Sequence, residues 1–393
     1  MRMLVLGGGR QGQAVIHDLA QAAAVASVTC ADLDVRGLEA YLATLGSDKL
    51  TAVPVDATDQ DALRRLIAGG FDAVVDLLPR QFVGAVGTAA VDVGVHLVNT
   101  NYDHDLRSLA DRAEQAGVAL LPEMGMDPGM DLVLCAEAVL RFDEVHGLLS
   151  YGGGIPEWSA ATENPLRYKI SWTWGGVLDS YDRPARLVQD GEAVEIPGDR
   201  IFDGGFRHTV DVPGLGEMEA FPNGDAVAYA RRLGIEDTVK TAGRYALRWP
   251  GHGELWHALV QLGFLEQAPV PGLPGQVSPR EFMRRHLEPR LQYKPDEGDV
   301  VVVRIEVEGI RSGCRSRLVF DVVDRKDTST GLTAMSRTVG FSASIAAQMI
   351  AQGTIAARGL LSPVRHVPYA PFVAELARRG IAVREQQVDL EDG

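Results

Sequence analysis

One carboxylate in the chain lies among apolar residues and next to residues that break regular structure. The run EMGMDPGMDLVL places Asp127 between methionines and directly before a Pro-Gly pair. A carboxylate there could hold a substrate ammonium group or exchange a proton with it. It could equally cap a helix that starts at Pro128, since Asp is favoured just before a helix and Pro at its first position. Both roles are compatible with one side chain.

A glycine pattern near the start of the sequence could hold a phosphate group. In the run LVLGGGRQGQAV, Gly7, Gly9 and Gly12 form G-x-G-x-x-G between an apolar run and a helical segment. In dinucleotide-binding folds the first glycine allows a tight turn, the second admits a pyrophosphate, and the third lets helix and strand pack closely. The pattern therefore predicts that this loop, with Arg10 and Gln11 inside it, binds a dinucleotide.

An acid at the end of the second apolar run indicates which dinucleotide is preferred. Asp32 lies 20 positions after Gly12, where an acid can accept hydrogen bonds from the adenosine ribose hydroxyls. Because a carboxylate repels a 2′-phosphate, the sequence predicts NAD rather than NADP, although Arg10 and Arg36 would suit NADP. Asp56, after the third apolar run, could reach the adenine or cap the following helix.

Short apolar runs alternate with helical segments from residue 3 to residue 122. The runs are MLVL, SVTCA, TAVPV, DAVVDLL, VHLVN and VALLP. Continuous apolar strands are typical of a parallel sheet that is covered on both faces. The sequence therefore predicts an α/β fold with a Rossmann doubly wound parallel sheet, whose ligands bind at the carboxyl ends of the strands. Leu78 ends one of these runs, Pro79 follows it and Thr100 follows another, so we expect all three at the cofactor.

The middle of the chain changes to longer alternating strands and tight turns. Asp190-Gly191 separates two apolar arms, which is a strong hairpin signal, and VVVVRIEVEG alternates with RLVFDVVD around a second turn. An alanine-rich segment that begins at about residue 340 predicts a buried helix. We expect a dinucleotide-binding domain at 1–125 that residues 340–393 complete, and a mixed α+β substrate-binding and dimerisation domain at 126–339.

Polar residues of the middle region could recognise an amino-acid substrate. Lys169, in NPLRYKISW, could bind a carboxylate or extend from a strand edge into solvent. Arg248, in ALRWPGHGE, could form a bidentate pair with a carboxylate. His252, in the same segment, could exchange a proton or neighbour a helix N-cap. Tyr102 is a second candidate for that proton relay.

Composition narrows the class of protein. The chain has 393 residues, 46% of them hydrophobic, which is enough for two domains with their own cores. A net charge of −15 argues against a nucleic-acid partner, since such binding needs a concentrated basic face. The three cysteines are far apart and fit a reducing cytoplasm without metal-site spacing. We find no signal peptide and no apolar run near the ~20 residues of a membrane span, so we expect a cytoplasmic protein.

The sequence resembles the saccharopine dehydrogenase (glutamate-forming) and lysine 6-dehydrogenase group along nearly its whole length. The shared segments are GMDPGMD, YGGGIP, NPLRYKISW, GVLDSYDRPARLVQDGE, FPNGD, ALRWPGHGE and SRTVGFSASIAAQMI. The resemblance implies a Rossmann domain completed by the C-terminal helix, and a second domain with substrate contacts and a dimer surface near residues 300–323. It also implies that NAD or NADP oxidises a C–N bond at the ε-carbon of a lysine-like amino acid and that the imine is then hydrolysed.

Two substrates remain open under this resemblance. GMDPGMD and FPNGD are similar to the saccharopine enzymes, with Asp127 matching their substrate-pocket acid, whereas GVLDSYDRPARLVQDGE and RWPGHGE are more similar to lysine 6-dehydrogenases. The saccharopine enzymes carry an arginine after the Pro-Asn pair, where this chain has Gly224. Loss of that cation is expected to weaken the binding of an additional carboxylate by ~1.5–3 kcal/mol. Gly152 stands where fungal-type enzymes have cysteine.

Three functional hypotheses follow. The first is an oxidoreductase that transfers hydride, because no serine-nucleophile elbow, Walker loop or zinc-protease motif is present and a cofactor would carry the chemistry. In it, Asp127 positions the amine and Arg248 or Lys169 binds the α-carboxylate. His252, Tyr102 or a water relays the proton. The second is a nucleotide-binding sensor or assembly protein without turnover, since this fold serves both roles. The third is a reductive synthase that joins an amine to an aldehyde or keto acid.

Overall fold

The computed structural model of the chain describes residues 1–272 and 274–390. These residues form two compact units. Unit 1 comprises Met1–Glu137 and Asp327–Val383, and unit 2 comprises Ala138–Lys326 and the residues from Arg384 onward. Within the described ranges, no helix is both long enough and apolar enough to cross a membrane.

The elements below are numbered along the chain. The strands are β1 Arg2–Leu6, β2 Ser27–Asp32, β3 Leu50–Pro54, β4 Ala73–Asp76, β5 His96–Asn99, β6 Ala119–Leu121, β7 Glu144–Pro156, β8 Ala185–Gln189, β9 Glu192–Ile196, β10 His208–Val212, β11 Gly216–Pro222, β12 Thr241–Arg248, β13 Asp299–Arg311, β14 Cys314–Arg325, β15 Gly359–Leu360 and β16 Val383–Asp389. The helices are α1 Arg10–Gln21, α2 Val35–Leu45, α3 Gln60–Ile67, α4 Val83–Val93, α5 Ala110–Gln115, α6 Met130–Leu140, α7 Trp158–Ala161, α8 Trp174–Ser180, α9 Ala226–Leu233, α10 His252–Gln261, α11 Pro279–Leu287, α12 Ala334–Ala351, α13 Pro363–His366 and α14 Tyr369–Arg378.

Unit 1 contains a seven-stranded parallel sheet in the order β15-β6-β5-β4-β1-β2-β3. Consecutive strands run outward in both directions from β1, so the strand order reverses between β1 and β4. This is the doubly wound arrangement that the alternation of apolar runs predicts. The predicted fold class is confirmed, and the crevice above β1 and β4 is where such sheets bind ligands.

The division of the chain differs from the expected boundaries. The chain returns to unit 1 at Asp327, earlier than the expected residue 340, and α12 already begins at Ala334. The last strand, β16, lies beside β14 in the sheet of unit 2, whereas residues 340–393 were all expected in the first domain. The physical reason is that β16 is polar and mostly exposed, which suits the edge of a sheet. Residues 391–393 of that expected range lie outside the described residues.

Helix α12 holds the returning segment against the first helix of unit 1. A Cβ added at Gly340 would lie 2.7 Å from the Cβ of Ala14 and 2.8 Å from the carbonyl oxygen of Gln11, so only glycine fits this approach. Near the other end of α1, Ser344 Oγ donates to Asp18 Oδ2 at 2.6 Å. The guanidinium of Arg379 also pairs with Asp18. Buried charge is tolerated here because the carboxylate is both paired and hydrogen-bonded.

Unit 2 is built on a nine-stranded mixed sheet. Its main path runs β10-β11-β12-β7-β13-β14-β16, with β8 and β9 attached beside β12. The hairpin between β8 and β9 turns at Asp190 and Gly191, whose φ angles of 51° and 82° are those of the predicted two-residue turn. The predicted antiparallel pair β13–β14 is also confirmed. Helices α8, α10 and α11 contribute to an aromatic core that includes Tyr168, Tyr181 and Trp256.

We predict that Gly340→Ala lowers both the melting temperature and the affinity for dinucleotide. The added methyl group overpacks the contact between α12 and α1, which should cost about 1–3 kcal/mol. Gly175→Ala is the matched control, because it adds the same methyl group to helix α8 where nothing lies within 4 Å. Calorimetry and dinucleotide titration of both variants measure the effect. Equal melting temperatures for the two variants would contradict this account of the helix contact.

Candidate functional site

The glycine loop of unit 1 has the geometry that a pyrophosphate requires. Gly7 adopts φ 97°, a conformation that L side chains rarely adopt. A Cβ on Gly12 would overlap the carbonyl oxygen of Gly7, whereas a Cβ at Gly9 would meet nothing within 4 Å. Gly9 precedes α1 and has no side chain to cap it, and the first N–H groups of a helix have no partner within the helix, so the start of α1 suits phosphate oxygens. The residues present fit a dinucleotide.

Asp32 is held at the end of β2 by the backbone. Its Oδ2 accepts from the N–H of Gly8 at 2.6 Å and its Oδ1 accepts from the N–H of Asp34 at 2.9 Å. The carboxylate therefore sits beside the glycine loop with lone pairs left for ribose hydroxyls. Asp56 does not cap the next helix, as one alternative expected. It accepts from Thr58, which lowers its pKa, while Asp59 caps α3.

The other expected cofactor residues lie at the same edge of the sheet. Leu78 and Pro79 follow β4 and Thr100 follows β5, which places them beyond strand carboxyl ends. Arg10 and Gln11 begin α1, and the side chain of Arg10 is exposed. These positions agree with the sequence expectation for the edge at which ligands bind. Their contacts with a dinucleotide stay a prediction.

Sequence reasoning missed two buried polar residues at this edge. Asp76 and Asn99 end β4 and β5, pair in register and are fully buried. Asp76 Oδ1 accepts from Leu78 N at 3.0 Å and Asn99 Oδ1 accepts from Asn101 N at 3.0 Å, so each side chain closes the turn after its strand. Burial raises the pKa of Asp76 to about 7. A polar residue ending an apolar run was the available signal.

The loop that carries Asp127 is closed by its own backbone. Gly125 N donates to the carbonyl of Pro128 at 2.9 Å, and Met130 N donates to the carbonyl of Gly125 at 3.0 Å. Gly129 adopts φ 144°, and a Cβ there would overlap the backbone of Gly125. Helix α6 begins only at Met130, so the expectation that Asp127 caps a helix starting at Pro128 is wrong. Asp127 and Pro128, which the sequence suggested as a helix start, belong to this loop instead.

Asp127 nevertheless has an uncommon position. Every residue from Val118 to Ala136 is buried except Asp127, which is partly exposed. The strand before it, β6, runs parallel to β5 in the sheet that carries the glycine loop. Glu123, at the start of the same segment, is 1% exposed and has a φ of 62°, which is unusual for a residue with a side chain. Backbone strain of this kind concentrates at functional sites.

Arg248 is a buried cation in unit 2. It ends β12, is 6% exposed, and lies among the rings of Tyr168, Tyr181 and Phe221 at 5.1, 5.8 and 5.9 Å from their centroids. Its Nε donates to Tyr181 Oη at 3.1 Å and its Nη1 donates to the carbonyl of Leu247 at 2.8 Å. Among the described residues, no carboxylate forms an ion pair with it. Such a guanidinium can receive an anionic ligand.

His252 is not placed to exchange protons with a substrate. It is 0% exposed, and burial together with the nearby Arg248 lowers its pKa to about 3. Its Nδ1 lies 2.6 Å from the carbonyl oxygen of Leu166 and its Nε2 lies 2.8 Å from Tyr181 Oη. Both ring nitrogens are thus engaged inside the protein. The expected role as general acid or base is therefore corrected to a structural one beside Arg248.

Lys169 belongs to a separate ion-pair cluster of unit 2. It is 3% exposed, and its Nζ lies 2.5 Å from Glu297 Oε1 and 3.2 Å from Glu163 Oε2. Lys294 also pairs with Glu163. Lys169 is buried, so it does not extend from a strand edge into solvent as one alternative expected. Two glutamates of the protein already neutralise its charge, which disfavours the other alternative, in which it binds a carboxylate of the substrate.

Gly224 has a cation beside it. Its φ is 96°, and a Cβ added there would lie 3.2 Å from Nη1 of Arg244. Arg244 extends from β12 and its guanidinium lies over the ring of Tyr229 at 3.9 Å. Gly224 stands where the saccharopine enzymes carry arginine, but the guanidinium of Arg244, on β12, occupies the neighbouring space.

Comparisons with known proteins agree with this architecture. The family model described as saccharopine dehydrogenase NADP binding domain matches residues 3–121, and that described as saccharopine dehydrogenase C-terminal domain matches residues 125–381. Alpha-aminoadipic semialdehyde synthase of Arabidopsis thaliana is 26% identical over 87% of this chain and 39% of its own length. Saccharopine dehydrogenase (NADP(+), L-glutamate-forming) of Schizosaccharomyces pombe is 26% identical over 93% of this chain and 94% of that protein.

A solved structure shows the same fold. Apo saccharopine dehydrogenase (L-Glu forming) from Saccharomyces cerevisiae matches with a TM-score of 0.86 and 24% identity, over 98% of this chain and 99% of that chain. The chain spans less than half the length of the semialdehyde synthases that it matches. The two family models together cover nearly all of residues 3–381, and the resemblance found in the sequence is confirmed: the chain belongs to the saccharopine dehydrogenase family.

Proposed function

We propose that the protein is an NAD(P)-dependent oxidoreductase that acts on a C–N bond of a lysine-derived amino acid. The observation that carries this proposal is Asp127, the one partly exposed residue in a long buried run beyond β6. A bound nicotinamide would supply the hydride acceptor. The glycine loop and Asp32 hold the pyrophosphate and ribose, and Asp127 binds the substrate amine and orients it. The amine nitrogen must be unprotonated so that its lone pair forms the C=N bond as the adjacent carbon loses hydride, and a nearby group must therefore accept the ammonium proton.

Within unit 2, we propose Arg248 as a group that binds a substrate carboxylate. The sequence left Arg248 and Lys169 as alternatives. Lys169 is already paired with two glutamates, whereas Arg248 is buried among aromatic rings and has no carboxylate partner among the described residues. A buried cation of this kind gains most from an incoming anion, because water does not screen the pair.

Tyr102 or a water molecule relays the proton in this scheme. His252 is excluded by its burial and by its engaged ring nitrogens. Tyr102 follows β5 at the carboxyl edge of the sheet, is partly exposed and packs edge-on to His104. Its position thus supports a role near a bound substrate.

The substrate that we favour is saccharopine, the secondary amine with a glutamate arm. The names of the Schizosaccharomyces pombe and Saccharomyces cerevisiae relatives support it. Gly224 removes one cation from the chain position at which the saccharopine enzymes carry arginine, but the Arg244 guanidinium beside it supports binding of an additional carboxylate. Reduction in the opposite direction, which joins an amine to an aldehyde, would use the same residues. The names of the semialdehyde synthase relatives give that direction its support.

We predict that the wild-type protein reduces the nicotinamide cofactor with saccharopine more efficiently than with L-lysine. Asp127→Asn should lower kcat about 100-fold or more, because the carboxylate that orients the amine is lost. Absorbance of the reduced nicotinamide measures both. Asp131→Asn is the control for loop stability, since Asp131 Oδ1 accepts from Gly129 N inside the same loop at 2.7 Å.

The two variants separate chemistry from folding. Asp127→Asn should keep the wild-type melting temperature, whereas Asp131→Asn should lower it. If the wild-type protein binds the dinucleotide tightly but oxidises neither amine, the result would contradict the enzyme proposal and favour a sensor or assembly protein. Higher activity with lysine would instead place the protein with the ε-deaminating dehydrogenases. The absence of an arginine at Gly224 would then explain why saccharopine is the poorer substrate.

We propose NAD as the preferred cofactor. Asp32 supports this, because its fixed carboxylate lies where the 2′-phosphate of NADP would be repelled. The names of the matching family model and of the two yeast relatives specify NADP. Arg10 and Arg36 are cations close to the glycine loop and to Asp32 in sequence, which would suit NADP. The charge at Asp32 makes the two alternatives separable.

We predict that wild-type kcat/KM is higher with NAD and that Asp32→Ser raises the NADP-to-NAD ratio of kcat/KM at least about tenfold, since one charged hydrogen-bond partner is worth ~1.5–3 kcal/mol. Asp72→Ser is the control, because Asp72 is an exposed acid just before β4, at the amino edge of the sheet. Equal shifts in the two variants, or an unchanged ratio in Asp32→Ser, would refute the assignment.

We also propose that the protein is a homodimer in the cytoplasm. The thiols of Cys30, Cys135 and Cys314 are unbridged, which suits a reducing compartment. Leu149 and Val323 are only partly buried although they pack against a buried apolar cluster of unit 2. A second copy that covers these side chains would remove apolar surface from water. Strands β13 and β14 were the interface elements expected from the resemblance.

We predict that the protein sediments as a dimer and that Leu149→Arg shifts it toward monomer. The arginine would place an unpaired charge in an apolar interface, which is strongly unfavourable. Leu262→Arg is the matched control, because Leu262 is 73% exposed. Sedimentation velocity distinguishes the two variants. A monomeric wild-type protein, or a dimer that both variants leave intact, would overturn this interface.

A further inference from the structure

A chain of hydrogen bonds in unit 2 leads from a backbone carbonyl to the Arg248 guanidinium. His252 Nδ1 lies 2.6 Å from the carbonyl oxygen of Leu166. His252 Nε2 lies 2.8 Å from Tyr181 Oη, and Arg248 Nε donates to the same hydroxyl at 3.1 Å. Tyr181, His252 and Arg248 are all buried, with Tyr181 and His252 both 0% exposed. Water therefore does not compete for these bonds.

The direction of every proton in this chain follows from chemistry. A carbonyl oxygen only accepts, so His252 Nδ1 must carry the ring proton and donate to Leu166. In the neutral imidazole Nε2 is then an acceptor, and Tyr181 donates to it. The remaining lone pair of the Tyr181 oxygen accepts from Arg248 Nε. Burial, which lowers the pKa of His252 and raises the pKa of Tyr181, keeps both side chains in these neutral forms.

These hydrogen bonds fix one side of the Arg248 guanidinium and leave its other side available to a ligand. Nε and one N–H of Nη1 are used by Tyr181 and by the carbonyl of Leu247. The Nη2 group has no hydrogen-bond partner among the described residues. A carboxylate that approaches this end meets a guanidinium whose plane is already set, so little side-chain entropy is lost on binding.

We propose that Tyr181 and His252 are a positioning pair that orients Arg248 for a substrate carboxylate. The pair touches Arg248 and not the reacting atoms, so it sets affinity for the carboxylate and the discrimination against amines that lack one. This inference rests on the proposed role of Arg248 as the carboxylate-binding group. It explains why a histidine that cannot exchange protons with a substrate is placed beside that arginine.

The test compares an amino acid with the same amine without its carboxylate. L-Lysine and 1,5-diaminopentane differ only in that group, and calorimetry with the reduced cofactor present gives both dissociation constants. Where turnover is measurable, KM and kcat are determined as well. The discrimination ratio, the dissociation constant of diaminopentane over that of lysine, should fall about tenfold or more in Tyr181→Phe, since one hydrogen bond to a charged group is lost. kcat at saturation should change far less.

Three further variants make the result specific. Tyr168→Phe is the matched control, because the Tyr168 ring also lies beside Arg248 but its buried hydroxyl forms no hydrogen bond to the guanidinium. The discrimination ratio of this variant should stay at the wild-type value. His252→Gln keeps an acceptor for Tyr181 and should retain more of the ratio than His252→Leu. Melting temperatures report any general loss of packing.

Arg248→Met separates the two levels of the inference. It should bring the ratio near one, and a ratio that stays at the wild-type value would overturn the role of Arg248 itself. If Arg248→Met abolishes discrimination while Tyr181→Phe behaves like Tyr168→Phe, Arg248 binds the carboxylate but the positioning pair is refuted. A wild-type protein that binds both amines equally would overturn both.

Discussion

The approach of α12 to α1 is the contact on which unit 1 depends. The chain leaves this unit after Glu137 and returns at Asp327, so nearly half of the sequence separates the sheet from the helix that covers it. At Gly340 the two helices come close enough to exclude any side chain. The N-terminus of α1 is also the phosphate-binding end. A shift of α12 would therefore move the backbone N–H groups that a dinucleotide needs.

The ion pair between Asp18 and Arg379 adds specificity to that contact. Asp18 accepts from Ser344 on α12 as well as from Arg379 just after α14, so three helices meet at one carboxylate. A buried pair contributes little net stability relative to apolar packing, but removing one partner leaves a buried charge and is costly. The network thus favours one register of α12 on α1. Apolar packing alone would specify that register less strictly.

Sequence reasoning found the parts of the fold whose signals are local. The glycine loop, the apolar strands and the Asp190-Gly191 turn depend on residues a few positions apart, and each was found where the pattern indicated. The predicted start of α6 was wrong because an acid followed by proline is typical of a helix start. The hydrogen bond from Gly125 N to the carbonyl of Pro128 shows that these residues form a loop instead.

The candidate site was less predictable because its chemistry depends on distant partners. Lys169 is paired with Glu297, which lies 128 positions away, and no local pattern reports that pairing. His252 looked like a proton-exchanging residue because the sequence does not show burial. Arg248 and Lys169 were both carboxylate-binding candidates, and the proposal that favours Arg248 depends on their partners in the folded chain, which no local pattern reports.

The two cations of unit 2 show how the environment assigns roles to similar charges. Both Lys169 and Arg248 are almost fully buried, and burial of an isolated charge is strongly unfavourable. Lys169 is compensated by two carboxylates, which makes its cluster a structural element. Within residues 1–272 and 274–390, Arg248 is compensated only by hydroxyl and carbonyl oxygens and by aromatic ring faces, which are weaker partners than a carboxylate. The compensation of the Arg248 charge is therefore incomplete, and an anionic ligand would supply the remainder. Sites of this kind are preorganised, because the arginine is fixed before the ligand arrives and the ligand does not have to reorganise it.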